Sequence, residues 1–180
     1  MTATSNLFEQ AAAVRLVVMD VDGVLTDSKI TYDSQNVESK AFNIKDGLGI
    51  SLGVRAGLKF AIITARESSM VSRRAKELGI AFVIQNTRTK LPALEALMVE
   101  LGLEPSQVAY IGDDLPDLPC LEAVGLPACP ADAAYPVRKK AKLVSTRIAG
   151  QGAVREVIEF ILECQAMLDE SGTLKKMLPF

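Results

Sequence analysis

The stretch VVMDVDGVLTD, residues 17–27, sets three aspartates, Asp20, Asp22 and Asp27, directly behind an apolar run. The run reads as a strand, and a strand buried on both faces is continuously apolar rather than alternating. Carboxylates crowded at the end of such a strand repel one another unless a cation sits between them. The stretch therefore predicts a first strand that delivers acidic groups to something positive.

Further apolar runs follow at KFAIIT (59–64), AFVI (81–84), VAYIG (108–112) and, more weakly, AKLVS (141–145). Between them lie ISLGVRAG, SMVSRRAKELG, KLPALEALMVELG and PDLPCLEAVG, helical patterns several of which stop at glycine. Strands alternating with helices of this length predict an α/β fold, a doubly wound Rossmann-like parallel sheet in one domain over residues 1–180. The ligand crevice of such a sheet lies at the carboxyl ends of its strands. One connection breaks the rhythm: in SKITYDSQNVESKAF, residues 28–42, Ile30, Tyr32 and Val37 alternate around Asp33-Ser34-Gln35-Asn36. This predicts a small β-hairpin flap, with no cap domain. A terminal helix is expected from Gly152 to Asp169, with Val154, Val157, Ile158, Ile161, Leu162 and Leu168 on one face, followed by the tail SGTLKKMLPF to residue 180.

Composition narrows the chemistry. With 49% hydrophobic and 23% charged residues and a net charge of −2, the chain has the makings of a core and no global attraction to nucleic acid or anionic membrane. No apolar run reaches the roughly 18 residues of a membrane span, and the N-terminus lacks a leader pattern, so a cytoplasmic protein with a small-molecule partner is expected. Three scattered cysteines without a C-x-x-C pair suggest reduced core residues. There is no histidine, which removes Ser-His-Asp and Cys-His systems and histidine-based zinc sites. Chemistry here has to run on aspartate, lysine and a hard metal.

Asp20 and the turn DVDG offer a carboxylate and a backbone carbonyl at one strand end, and YIGDDLPD brings Asp113 and Asp114 after a later strand, with Asp117 just beyond. Oxygen-only ligands of this kind suit Mg²⁺ better than zinc. Thr64 ends AIIT and Lys90 opens KLPALEAL. A hydroxyl and an ammonium beside a metal-bound carboxylate meet the needs of a transferring phosphoryl group, whose charge must be spread over fixed donors. A carboxylate at Asp20 can then be the nucleophile, and Asp22, two residues on, the general acid and base.

Asp20-x-Asp22-Gly-x-x-Thr-Asp, Thr64, Lys90 and Gly112-Asp113-Asp114-x-x-Asp117 resemble, in order, the four motifs of the haloacid dehalogenase superfamily of phosphatases. The resemblance implies Asp20 as nucleophile, Asp22 as acid and base, Thr64 and Lys90 on the phosphoryl oxygens, and Asp20, the Asp22 carbonyl and Asp113 on Mg²⁺. Within that superfamily MDVDGVLTDSKI, KAFNIKDGLGI, ITARES, GDDLPDLP and GQGAVREV are similar to the capless 3-deoxy-D-manno-octulosonate 8-phosphate phosphatases of lipopolysaccharide precursor synthesis, from about Leu16 to Leu168. That similarity implies an acidic sugar phosphate substrate, contacts to it from Asn43, Ile44, Lys45, Asp46, Gly47, Arg66, Arg74 and Lys90, and a homotetramer built through the hairpin. It also leaves room for a nine-carbon 2-keto sugar acid phosphate. Ser51, Ala65 and Asn86 depart from the family pattern, and asparagine can take the left-handed turn in which glycine is common.

Plainer roles compete at several positions. Lys90 can be a solvated first-turn lysine, Thr64 a helix cap, and Asp114 and Asp117 either caps or supports for Lys90 and the metal. Arg66 and Arg74, eight apart, are expected near one face of one helix, gripping substrate or solvating that face. A receiver-like signalling module also combines such a sheet with Asp, Thr, Lys and Mg²⁺. Receivers, however, keep their phospho-accepting aspartate after a later strand, where this chain has FVIQN.

Overall fold

The computed structural model describes residues 3–166. Helix α1 (Ala3–Ala13) precedes the opening strand β1 (Leu16–Met19), which is followed by the hairpin β2 (Thr31–Tyr32) and β3 (Glu38–Ser39). Alternation then takes over: α2 (Ile44–Arg55), β4 (Lys59–Ile63), α3 (Ser69–Leu78), β5 (Phe82–Ile84), α4 (Lys90–Leu101), β6 (Val108–Ile111) and α5 (Leu118–Ala123). The described residues finish with β7 (Leu126–Cys129), α6 (Tyr135–Lys140), β8 (Leu143–Val144) and α7 (Ala153–Cys164).

Six strands form one parallel sheet in the order β5-β4-β1-β6-β7-β8, and the hairpin stands apart as an antiparallel pair. Because β1 is buried on both sides, its residues divide between two cores: Val17 and Met19 pack with α1, α2 and α7, and Leu16 and Val18 pack with α4 and α5. Each such side chain contributes about 1.5–3 kcal/mol on burial. From β1 the chain winds one way to β4 and β5 and then the other way to β6, β7 and β8, so the strand order reverses at β1. The crevice of a doubly wound sheet opens at that point.

Four details differ from what the sequence suggests. Strand β7, with the text LPAC, lies inside the sheet despite Pro127. In a parallel strand a residue's N–H and C=O face the same neighbour; the Pro127 carbonyl accepts from the Lys142 amide at 2.9 Å, so the missing donor falls where β8 has barely begun. The N-terminal segment forms α1, held to α7 by Phe8 and Phe160 with ring centroids 5.5 Å apart. Helix α7 ends at Cys164, where Ala166 turns to a φ of 54°; Leu168, Asp169 and the tail SGTLKKMLPF lie outside the described residues. Arg66 is not on the helix of Arg74: it sits in the loop before α3, whose N-cap is Ser68, so Thr64 caps nothing either. Asn86 does take the left-handed conformation, with φ 56°. Among the described residues no helix is long and apolar enough to cross a membrane.

Candidate active site

The strand register brings the carboxyl ends of β4, β1 and β6 side by side, with Met19 opposite both Ile62 and Ile111. Asp20 follows β1, its amide donating to the Ile111 carbonyl at 3.0 Å, and the residue is buried at 8% exposure. Beyond it the chain curls round one carbonyl: the amides of Val24, Leu25 and Thr26 all donate to Val21. That curl needs Gly23, which has φ 92° and where a Cβ would lie 2.0 Å from Asp113 Oδ2. Asp27, the third aspartate of the opening stretch, leaves the crevice and pairs with Lys29 at 2.8 Å on the surface.

Lys90, the first residue of α4, is buried between two carboxylates, 3.0 Å from Asp20 Oδ2 and 2.7 Å from Asp117 Oδ1. Burial alone would push its pKa down, but the charges of Asp20 and Asp117 outweigh burial and raise it, so the ammonium stays protonated. Asp117 uses both oxygens fully. Oδ1 accepts from Lys90 and from the Tyr110 hydroxyl at 2.8 Å; Oδ2 accepts from the amides of Asp113 and Asp114 at 3.0 and 3.3 Å. Such a return of Asp117 against the strand end requires Gly112, where a Cβ would meet the Asp117 Cβ at 2.5 Å. Asp114 caps the short 3₁₀ turn Leu115–Asp117, accepting from the Leu115 amide at 2.8 Å.

Asp20, Asp113 and Asp117 each bring a carboxylate oxygen within 4.8 Å of the others. With the four acceptor sites of Asp117 engaged, Asp20 Oδ1 and Asp113 Oδ1 are left, both buried and without a hydrogen-bond partner among the described residues. An unpaired buried acceptor is costly, and two aimed into one crevice fit a hard divalent ion that takes oxygen ligands. Burial raises Asp20 to about 6, further raised by Asp117 and opposed by Lys90; burial together with Asp20 and Asp117 raises Asp113 to about 7. Native values above the unfolded ones mean that these two carboxyls bind more protons in the folded chain than in the unfolded chain from about pH 4 to 7. Stability must therefore fall as pH rises through that window. The chelated protein is expected to melt a few degrees higher at pH 5.5 than at pH 8, and millimolar Mg²⁺ to remove the difference by raising the pH 8 value. A melting temperature flat or rising from pH 5.5 to 8 under chelation would contradict this.

The remaining predicted residues fall into two groups. Thr64, buried, follows β4, the strand paired with β1, its amide donating to Ile84 at 2.9 Å and its carbonyl accepting from Thr87 at 3.1 Å. Asp22, at the rim, meets Lys40 through Oδ1 and stands 3.8 Å from Arg66 Nε through Oδ2. In the segment 43–47, Asn43 and Asp46 make contacts within the fold. Asn43 caps α2, accepting from the Lys45 amide at 2.8 Å and donating to the Gly150 carbonyl at 2.9 Å. Asp46 is buried, and its carboxylate accepts from the amides of Gly152 and Arg155 at 3.1 and 2.8 Å, capping α7. Ile44 and Lys45 are exposed; Gly47 gives way to Arg74, whose Nη2 would lie 2.1 Å from a Cβ there. Lys40, Glu38 and Tyr110 belong to the site and carry no sequence pattern of their own: the first two belong to a short polar hairpin, and Tyr110 is hidden inside an apolar run.

A profile of the haloacid dehalogenase-like hydrolases matches residues 80–158. The 3-deoxy-D-manno-octulosonate 8-phosphate phosphatase of Escherichia coli K12 is 40% identical over 168 residues, 93% of this chain and 89% of that protein. The enzyme of the same description from Moraxella catarrhalis, solved in complex with magnesium ion, phosphate ion and a KDO molecule, is 44% identical with a TM-score of 0.88, covering 90% of this chain and 93% of that one. That of Yersinia pestis has 42% identity and a TM-score of 0.88, covering 89% and 87%. Sheet, hairpin and acidic crevice define a hydrolase that uses Mg²⁺. The chain belongs to the haloacid dehalogenase superfamily, in the branch of the 3-deoxy-D-manno-octulosonate 8-phosphate phosphatases.

Proposed function

We infer that the protein hydrolyses 3-deoxy-D-manno-octulosonate 8-phosphate to the free sugar acid and phosphate in a Mg²⁺-dependent reaction. The observation that carries this is the pair of buried, unpartnered oxygens on Asp20 and Asp113 beside Lys90, in a chain 40% identical to a phosphatase of that description over nine-tenths of its length.

Asp20 is the nucleophile: a carboxylate oxygen bonds to phosphorus as the bond to the sugar oxygen breaks, giving an aspartyl phosphate. Asp22, at the mouth of the crevice, gives its proton to the departing alcohol and then takes one from the water that attacks phosphorus and frees Asp20. Lys90 and Thr64 hold the phosphoryl oxygens, Lys90 being fixed for this by Asp117 and, behind it, Tyr110. Asp20, Asp113 and the Asp22 carbonyl would hold Mg²⁺, which supplies positive charge for the phosphoryl oxygens and keeps Asp20 ionised. Arg66 and Arg74 offer guanidinium groups to the acidic sugar on the flap side. The same contacts suit a nine-carbon 2-keto sugar acid phosphate, which is the second substrate to test.

A crevice without a cap domain needs cover, and the exposed Ile30, Tyr32 and Val37 of the hairpin support a homotetramer that provides it, working in the cytoplasm. The test is steady phosphate release from the eight-carbon and nine-carbon substrates and from p-nitrophenyl phosphate, with light scattering on the same preparation. The eight-carbon ester is expected to give the highest kcat/KM, EDTA to abolish release and Mg²⁺ to restore it, from a particle of four chains. Full activity after exhaustive chelation, or no preference for the eight-carbon ester, would overturn the corresponding part.

A further inference from the structure

Lysine is almost never buried unless it is paired. Lys40, just past β3, has a side chain only 2% exposed, with its ammonium on Asp22 Oδ1 and 3.4 Å from Glu38 Oε1. Arg66 closes the figure: its Nη2 donates to Glu38 Oε2 at 2.7 Å, and its Nε lies 3.8 Å from Asp22 Oδ2. The result is a ring of alternating charge, Asp22, Lys40, Glu38 and Arg66, that joins the flap to the rim of the crevice. The flap needs such a tie, since two strands of two residues each do not hold together alone.

The ring has one exchangeable member. Asp22 belongs to the crevice and the Lys40 side chain is covered, whereas Glu38 comes from the flap and, among the described residues, its carboxylate is held by its two cations. Lys40 also forms part of the wall of a cavity of about 320 Å³, together with Phe42, Met70, Arg73 and Arg74. Among the described residues that wall carries three cations against the carboxylate of Glu77, which Arg73 and Arg74 already engage at 3.0 and 3.3 Å. An anion entering the cavity therefore meets, at Lys40, a cation whose flap partner it can replace one for one.

We propose that Lys40 is a specificity-determining residue that binds the carboxylate of the leaving group, and that Glu38 occupies that carboxylate's place until substrate displaces it. This rests on the acidic sugar phosphate substrate proposed above. A carboxylated ester exchanges with Glu38 and keeps the charges balanced. A phosphate ester without a carboxylate has nothing to offer the two cations and leaves the ring closed over Asp22. Binding energy from a part of the substrate remote from phosphorus is thus used to open the flap and discriminate between esters.

The experiment compares kcat/KM for 3-deoxy-D-manno-octulosonate 8-phosphate with that for D-arabinose 5-phosphate, which lacks the carboxylate, in wild type, Lys40→Met, Lys40→Arg and Glu38→Gln. Lys40→Met is expected to lower the ratio of the two values about tenfold or more, chiefly through KM for the carboxylated ester. Lys40→Arg is expected to recover part of it, and Glu38→Gln to raise the ratio severalfold by removing the internal competitor. A ratio unchanged within twofold in Lys40→Met, or lowered in Glu38→Gln, overturns the proposal. If Lys40→Met does not fold by circular dichroism, the sign of the Glu38→Gln effect decides alone. A wild type that hydrolyses p-nitrophenyl phosphate but no carboxylated sugar phosphate would refute the substrate class instead, a failure separate from that of any variant.

Discussion

Asp20→Asn is expected to cut turnover of the sugar acid phosphate by at least about 10³-fold while leaving the melting temperature at pH 8 unchanged or slightly higher. The two effects part because they come from different properties of one side chain. The amide has the shape of the carboxylate but neither its nucleophilicity nor its full affinity for a divalent ion. Ionised Asp20, by contrast, is a burden on the chelated fold: burial is the largest influence on it and raises it to about 6. Lys90 keeps Asp117 as its partner at 2.7 Å after the change. The check is single-substrate kinetics on protein shown by mass spectrometry to be free of deamidation, beside thermal melts under chelation. Activity within about tenfold of wild type would remove Asp20 as the nucleophile.

The largest loss of stability is expected from Asp117→Ala, about 3–5 kcal/mol, together with a fall in kcat of about 10²-fold or more. The carboxylate accepts four hydrogen bonds, and truncation strips all of them at once: a buried ammonium, the fully buried Tyr110 hydroxyl and two backbone amides. Breaking a buried pair from one side leaves a charge without compensation, which costs far more than the pair contributes when intact. Lys90 would still have Asp20 at 3.0 Å but nothing to hold it in place on the other side. Urea unfolding is expected to give a lower midpoint at unchanged slope. A loss below about 1 kcal/mol would mean that water or a neighbouring group replaces the carboxylate.

How legible all this was depends on how local the signal is. Strand β1 and its aspartates were readable because an apolar run and a turn are local patterns, and the four motifs fall on successive strand ends that any doubly wound sheet brings together. Strand β7 was not readable. Proline argues against an inner strand, and it is tolerated only because β8 is too short to ask for the missing amide. Arg66 was put on the wrong element because nothing in ITARESSM marks Ser68, rather than Thr64, as the cap. The partners of Asp46 are amides 106 and 109 residues away, a relation no local pattern encodes. Lys40 was missed for the opposite reason: a single lysine in a polar hairpin looks solvated until the fold buries it.

The cap that Asp46 places on α7 also bears on how the protein is made. Asp46 is synthesised early, and its acceptor role waits for Arg155, 109 residues later. At elongation speeds of about 5–20 residues per second, that is a delay of roughly 5–20 s. Until α7 is made, the cluster that Val17, Phe60 and Ile62 share with it is incomplete. A chain released before residue 152 is therefore expected to leave Asp46 without the Gly152 and Arg155 amides and this core incomplete.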